Sequence, residues 1–180
     1  MRKRGLLFIT TALLCACNQK NTQTAADPPF NEEKEKAAII KTIEDETASF
    51  YKRDYEAWKN DFVHSDYAFH AWNNDDGTFD AQVGWPRVDA KIGNYIKAHP
   101  LESGETTTHS NVERRNMITK FFNDSLAFLA WDEYASDEKT KKYFQSKSQR
   151  IMEKHDGAWK IASVVALWDY KNLIPADSIK

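Results

Sequence analysis

Cysteine is nearly absent from this chain of 180 residues, and the two it has, Cys15 and Cys17, sit at its very start. Everything after them has no disulfide, no cysteine nucleophile and no cysteine metal ligand, so its stability must come from a packed core. Glycine is scarce, six in all, and none forms a phosphate-cradling loop or a nucleophile elbow. The five histidines, His64, His70, His99, His109 and His155, include no His-x-His or His-x-x-x-His pair. No acidic cluster completes a ligand set beside them, so neither a metal nor a cofactor is expected. An excess of positive charge is missing too: 25 basic residues against 27 acidic leave a net −2. That balance gives nucleic acid no electrostatic reason to bind.

What is present begins with a leader. Arg2, Lys3 and Arg4 precede the apolar run Leu6–Leu14, which has the length of a signal core and is too short for a permanent membrane helix. The following Leu14-Cys15-Ala16-Cys17 resembles the bacterial lipobox. The resemblance implies cleavage after residue 16 and a diacylglyceryl thioether on Cys17, anchoring the protein to a lipid bilayer. Losing residues 1–16 removes three basic side chains and no acidic one, so 22 against 27 leaves −5. Residues 17–30 are polar and close on Pro28-Pro29, as a flexible tether would. Asn18 is not the aspartate that favours inner-membrane retention in the enterobacterial pattern. The expected location is the outer membrane, facing the periplasm.

Residues 31–172 read as one domain, with 173–180 as a tail. Asn31 is placed to cap a helix carrying Glu32 and Glu33 in its first turn. Ile39, Ile43, Thr47 and Phe50 give that helix an apolar stripe. Asp54 caps a second, short helix with Ala57, Trp58 and Phe62 turned inward. Asp66–Asn73 alternates as a first strand, and Phe79–Trp85 reads either as a strand or as a loop. Pro86 opens a third helix whose stripe is Val88, Ile92, Tyr95 and Ile96. Four strands then follow, 111–122, 125–135, 143–154 and 158–170, an α+β order.

The stretch Arg150–Tyr170, with its Asp156-Gly157-Ala158-Trp159-Lys160-Ile161 centre, resembles the closing hairpin of the nuclear transport factor 2-like (SnoaL-like) superfamily. Tyr51-Lys-Arg-Asp-Tyr-Glu-Ala-Trp58 resembles its first helical break. The resemblance implies a cystatin-like cone, a strongly curved antiparallel sheet wrapped around the N-terminal helix with a pocket at the open end. It also implies a homodimer through the outer sheet face, here Leu129, Trp131, Ile151, Val165 and Leu167.

Loop lengths decide which side chains face that pocket. A three-residue His155-Asp156-Gly157 loop sets Arg150 opposite Ala162, on one face with Met152, Val164, Ala166 and Trp168. A two-residue Asp156-Gly157 turn would bring Ser163 and Val165 to that face instead. The first register is preferred. A loop centred near Lys141 makes Asp132 a neighbour of Arg150. Both positions line up with basic pocket residues of the calcium/calmodulin-dependent kinase association domain, an acid replacing a base at the first. Arg150 and Asp132 are thus candidate ligand-binding residues, with Trp72, Trp85, Tyr134 and Trp168 as apolar walls.

Superfamily enzymes use an Asp or His facing such a pocket as a general base. Asp132 would be that base, with His70, His109 or Tyr134 as donor, yet Arg150 beside it would weaken it. The expected role is therefore non-enzymatic binding of a small apolar or anionic ligand, or assembly. An isomerase or lyase using Asp132, and a purely structural dimeric envelope subunit, are the alternatives.

Overall fold

The computed structural model describes residues 29–107, 112–137 and 142–179. The leader, Cys17, most of the tether and His109 lie outside them. Asn31 does cap the first helix, α1 (Glu32–Lys52), its side chain accepting from Lys34 N at 3.0 Å. Arg53, at φ 59°, ends it in the left-handed conformation, and Asp54 caps α2 (Tyr55–Asn60) through Ala57 N. Phe30 is not free tether: its ring meets Phe121 edge-on at 5.2 Å.

Six strands form one curved, unclosed sheet: β1 (Phe69–Asn73), β2 (Phe79–Val83), β3 (Val112–Asn123), β4 (Leu126–Asp137), β5 (Lys142–His155) and β6 (Ala158–Pro175). Their order is β2-β1-β6-β5-β4-β3, antiparallel throughout except where β1 joins β6 in parallel. Phe79–Val83 is thus a strand, and β6 continues past Tyr170 to pair Ile174 with Tyr143 and Pro175 with Lys142. The α1 helix lies on the inner face. Ile39 and Ile43 from it, Trp58 from α2, Leu129 from β4, Met152 from β5 and Ile161 from β6 are sealed into one core.

The third helical stretch is broken in the middle. Between α3 (Trp85–Val88) and α4 (Asn94–Ala98), Asp89–Gly93 forms a π-helical turn. Tyr55 donates its hydroxyl to Asp89 Oδ1 at 2.9 Å, and a Cβ at Gly93 would come within 2.8 Å of the Tyr55 ring. Glycine is required for that approach, and the wide turn carries Lys91 and Ile92 over the open end of the sheet.

Two register expectations change. The β5–β6 turn is the two-residue form: His155 pairs with Ala158, and Asp156 and Gly157 have φ of 50° and 82°, a type I′ turn. A bulge at Ala162 then restores parity, because Met152 pairs with Ile161 while Ile151 pairs with Ser163. Arg150 therefore lies beside Val164, not Ala162, and still shares its face with Ala166 and Trp168. The β4–β5 loop is centred between residues 139 and 140, since Asp137 pairs with Lys142. That displacement exchanges the faces of β4. Leu129 and Trp131 point inward, whereas Asp132 and Tyr134 point outward.

Candidate functional site

A cavity of about 370 Å³ opens between the second half of α1, the π-helical turn and the inner faces of β1, β4, β5 and β6. Its volume suits a small molecule. Phe50, Trp72, Tyr95 and Trp168 supply flat walls, with Ile92, Val164 and Ala166 between them. Asn73 fastens one wall, since its side chain accepts from Trp168 N at 2.6 Å and donates to Trp168 O at 2.9 Å. At the mouth, Phe50 and Tyr95 stack at 6.1 Å and the Arg53 guanidinium lies 5.0 Å from each ring. Lys91 pairs with Asp80 there at 2.9 Å.

The floor is charged. Arg150 on β5 is 6% exposed, and its guanidinium sits 5.1 Å from the Trp131 ring. Its Nη1 donates to the Gln149 carbonyl at 2.9 Å, while Nε has no partner among the described residues. No described carboxylate closes an ion pair on it within 4.0 Å. Arg114 on β3, by contrast, is engaged. Its Nη2 donates to Thr47 Oγ1 at 2.6 Å, and Nε lies 3.2 Å from Glu133 Oε2 without being aimed at it. Glu133 also accepts from Trp131 Nε1 at 3.1 Å.

Glu46 on α1 completes the floor at 7% exposure. Burial raises its pKa and Glu133 adds to this, against the opposing pull of Arg150 and Arg114. Thr47 Oγ1 lies 3.3 Å from its carboxylate, but the single hydroxyl proton has a nearer acceptor in the Ile43 carbonyl at 2.9 Å. His70 on β1 stacks near Phe62 at 6.2 Å and meets Trp72 edge-on at 5.3 Å. Burial, then the Arg150 charge, hold its pKa down to about 3, so it is neutral at physiological pH. Tyr51 is pushed up by burial and stays protonated.

Of the residues singled out from the sequence, Arg150, Trp72 and Trp168 line this cavity together, with His70 beside them. Asp132, Tyr134 and Trp85 do not. Asp132 faces outward, bound by Lys147 and by Asn116 Nδ2 at 2.8 Å, and both contacts hold its pKa below the usual carboxylate value. Tyr134 shares that face with Gln145, whose Nε2 is 3.4 Å from its hydroxyl. Trp85 turns back onto His64 at 4.1 Å and Trp58 at 5.8 Å, because Gly84 at φ 84° swings the chain into α3.

Glu46 and Glu133 are the residues that sequence reasoning misses. A signal for Glu46 existed: Ile39, Ile43, Glu46 and Phe50 follow spacings of four, three and four, so a carboxylate stands in the buried stripe. Among the described residues no group of His, Cys, Asp and Glu could hold a metal ion.

No protein-family model matches the chain, and no curated protein matches its sequence. Solved structures do match it in shape. An NTF2-like protein of unknown function from Shewanella oneidensis MR-1 superposes with a TM-score of 0.54 at 13% identity, covering 74% of this chain and 98% of that one. The chain has the nuclear transport factor 2-like fold. This fold also relates it to the association domain of C. elegans CaMKII, at TM-score 0.55 and 15% identity over 75% and 96% of the two chains. A hexachlorocyclohexane dehydrochlorinase (LinA) type 2 matches at 0.51 and 12% over 79% and 90%. One nuclear transport factor 2-like architecture thus serves an association domain and an enzyme, and the choice here rests on this chain's own cavity.

Proposed function

We propose that this domain binds a small, flat, apolar molecule bearing one anionic group, without transforming it. The observation that carries this reading is Arg150, a buried cation at the floor of an aromatic-walled cavity with an unpartnered Nε. A buried donor left unsatisfied is costly, and a carboxylate forms strong, paired hydrogen bonds with guanidinium. Catalysis through Asp132 is not proposed, because that side chain lies on the opposite face of the sheet.

2-Naphthoate and its uncharged counterpart 2-naphthamide test the reading. The acid should quench tryptophan fluorescence with at least about tenfold higher affinity than the amide, the value of one charge-assisted hydrogen bond. Ala166→Phe, which fills the cavity, should abolish both. Equal affinity for acid and amide, or binding that survives in Ala166→Phe, would place the ligand elsewhere.

The same proposal includes the envelope setting. The lipobox-like Leu14–Cys17 supports a lipid anchor on the outer membrane, and palmitate labelling that persists in Cys17→Ala would refute it. Glu35, near the start of α1, accepts from Trp159 Nε1 and Lys154 Nζ at the closed end of the cone. Thr47, twelve residues on and roughly 18 Å along the helix, lines the cavity. A chain tethered ahead of α1 would therefore open its cavity away from the bilayer. The outer sheet face exposes Phe79, Ile118 and Leu167 at 77%, 62% and 58%, with Ile151 and Val165 between them. We assign that face to a second copy of the chain. Sedimentation velocity should show a dimer that Leu167→Lys dissociates, and a wild-type monomer would remove the assignment.

A further inference from the structure

Arg150, Glu46 and Glu133 line the floor of the cavity, Arg114 sits behind it against Thr47 and Glu133, and only one pair among these four charges is joined. Arg114 and Glu133 lie 3.2 Å apart, while Arg150 and Glu46 are both buried and neither closes an ion pair within 4.0 Å among the described residues. The titratable and charged groups around Glu46 come from every element packed on it. They are Tyr51 on its own helix, Asp61 after α2, His70 on β1, Arg114 on β3, Glu133 on β4 and Arg150 on β5. Lys91, at the mouth, is already matched by Asp80.

Counting charge on that floor leads to a consequence for binding. With Glu46 ionised, two positive groups face two negative ones and the floor is neutral. An anion arriving at Arg150 would leave a net negative charge among buried side chains, which is unfavourable. Neutrality returns if Glu46 takes a proton. We propose that docking of a ligand carboxylate on Arg150 is coupled to uptake of one proton from solvent by Glu46, so that the site binds anions in acid and releases them as pH rises. This rests on the ligand-site reading of the cavity and adds its regulation.

The geometry favours Glu46 over its neighbours as the acceptor. Burial has already moved Glu46 toward its protonated form. His70 would have to gain a positive charge beside Arg150, whose field disfavours it. Asp61 is half-buried, is pushed up to about 7 by burial, with Glu46 and Asp45 adding, and is not in the cavity wall. Coupling to one proton sets the slope: above the pH at which Glu46 ionises in the free protein, affinity falls up to about tenfold per pH unit.

Calorimetric titration of the whole protein with 2-naphthoate, ionised throughout pH 5.5–8.5, tests this in buffers of different ionisation enthalpy. Wild type should take up close to one proton per ligand at pH values above that at which Glu46 ionises in the free protein, and weaken as pH rises. Glu46→Gln should bind with a flat pH profile and no uptake, whereas His70→Gln and Asp61→Asn should keep the uptake whatever their affinity. If Glu46→Gln does not fold, uptake retained in both other variants excludes His70 and Asp61 as acceptors, and its loss in either would overturn the choice of Glu46. Binding by wild type with no uptake and no pH dependence would overturn the coupling and leave the ligand reading intact. Uptake that survives in Glu46→Gln and vanishes in His70→Gln or Asp61→Asn would overturn the choice of acceptor. No 2-naphthoate binding by wild type or Glu46→Gln at any pH would overturn the ligand reading, and the coupling with it.

Discussion

Replacing Arg150 with methionine is expected to weaken 2-naphthoate binding by about 100-fold or more, two charge-assisted hydrogen bonds' worth, while leaving the protein as stable or making it more so. The two halves of this expectation have one cause. Among the described residues Arg150 is buried with a single hydrogen bond, to Gln149 O, and an unpartnered Nε. Burial draws its pKa down, with Arg114 adding, against the upward pull of Glu46 and Glu133. Truncating one member of a buried pair is normally harmful because it strands the other charge. Here Glu133 keeps Arg114 at 3.2 Å, and Glu46 can hold a proton. An unbranched apolar side chain of similar length should then match or exceed the arginine by about 1–3 kcal/mol. Urea unfolding monitored beside the fluorescence titration checks both halves. A loss of stability above about 2 kcal/mol would make Arg150 a structural tie, and the case for a ligand anchor would fall.

That Arg150 faces the cavity was legible in the sequence, but by a route that contains two compensating errors. The Asp156-Gly157 pair forms the shorter turn, which alone would have moved Ser163 and Val165 to its side. The bulge at Ala162 reverses the effect. Bulges arise where packing on both faces makes an extra residue cheaper than a mismatched face, and Ile161 at 0% exposure needs the core as much as Val164 does. No local signal announces such a trade.

The β4 assignment fails for a related reason. Residues 125–135 alternate credibly in either phase: Phe128, Ala130 and Tyr134 against Leu129, Trp131 and Ala135. A loop centre displaced by about one and a half residues sufficed to choose the wrong one. Helix order and strand number survive such slips, because they depend on runs of residues and not on parity. Site geometry does not survive them, and so the sequence pairs Asp132 with Arg150 although Lys147 holds it on the other face. The buried acid Glu46 is hidden in the sequence for the opposite reason. Thr47 beside it completes an equally regular stripe, and a polar residue in an apolar pattern is easily taken for the edge of that pattern.

Arg114, the second arginine of the floor, should behave in the reverse manner. Arg114→Met is expected to cost about 3–5 kcal/mol of stability, because it strands the buried Glu133 carboxylate beside Glu46 and removes the 2.6 Å bond to Thr47. Arg150 cannot substitute, since no ion pair joins it to Glu133 and reaching one would draw it off the Trp131 ring. If stranded charge is the cause, adding Glu133→Gln to Arg114→Met should recover most of the loss, for the amide needs no cation and can still accept from Trp131 Nε1. Urea unfolding of the two single variants and the double variant gives the coupling energy directly. Two neighbouring arginines with opposite outcomes would separate a cation kept for the fold from one kept for a ligand. Should Arg114→Met prove as harmless as Arg150→Met, the floor would hold no structural ion pair, and Arg150 could no longer be distinguished as its free charge.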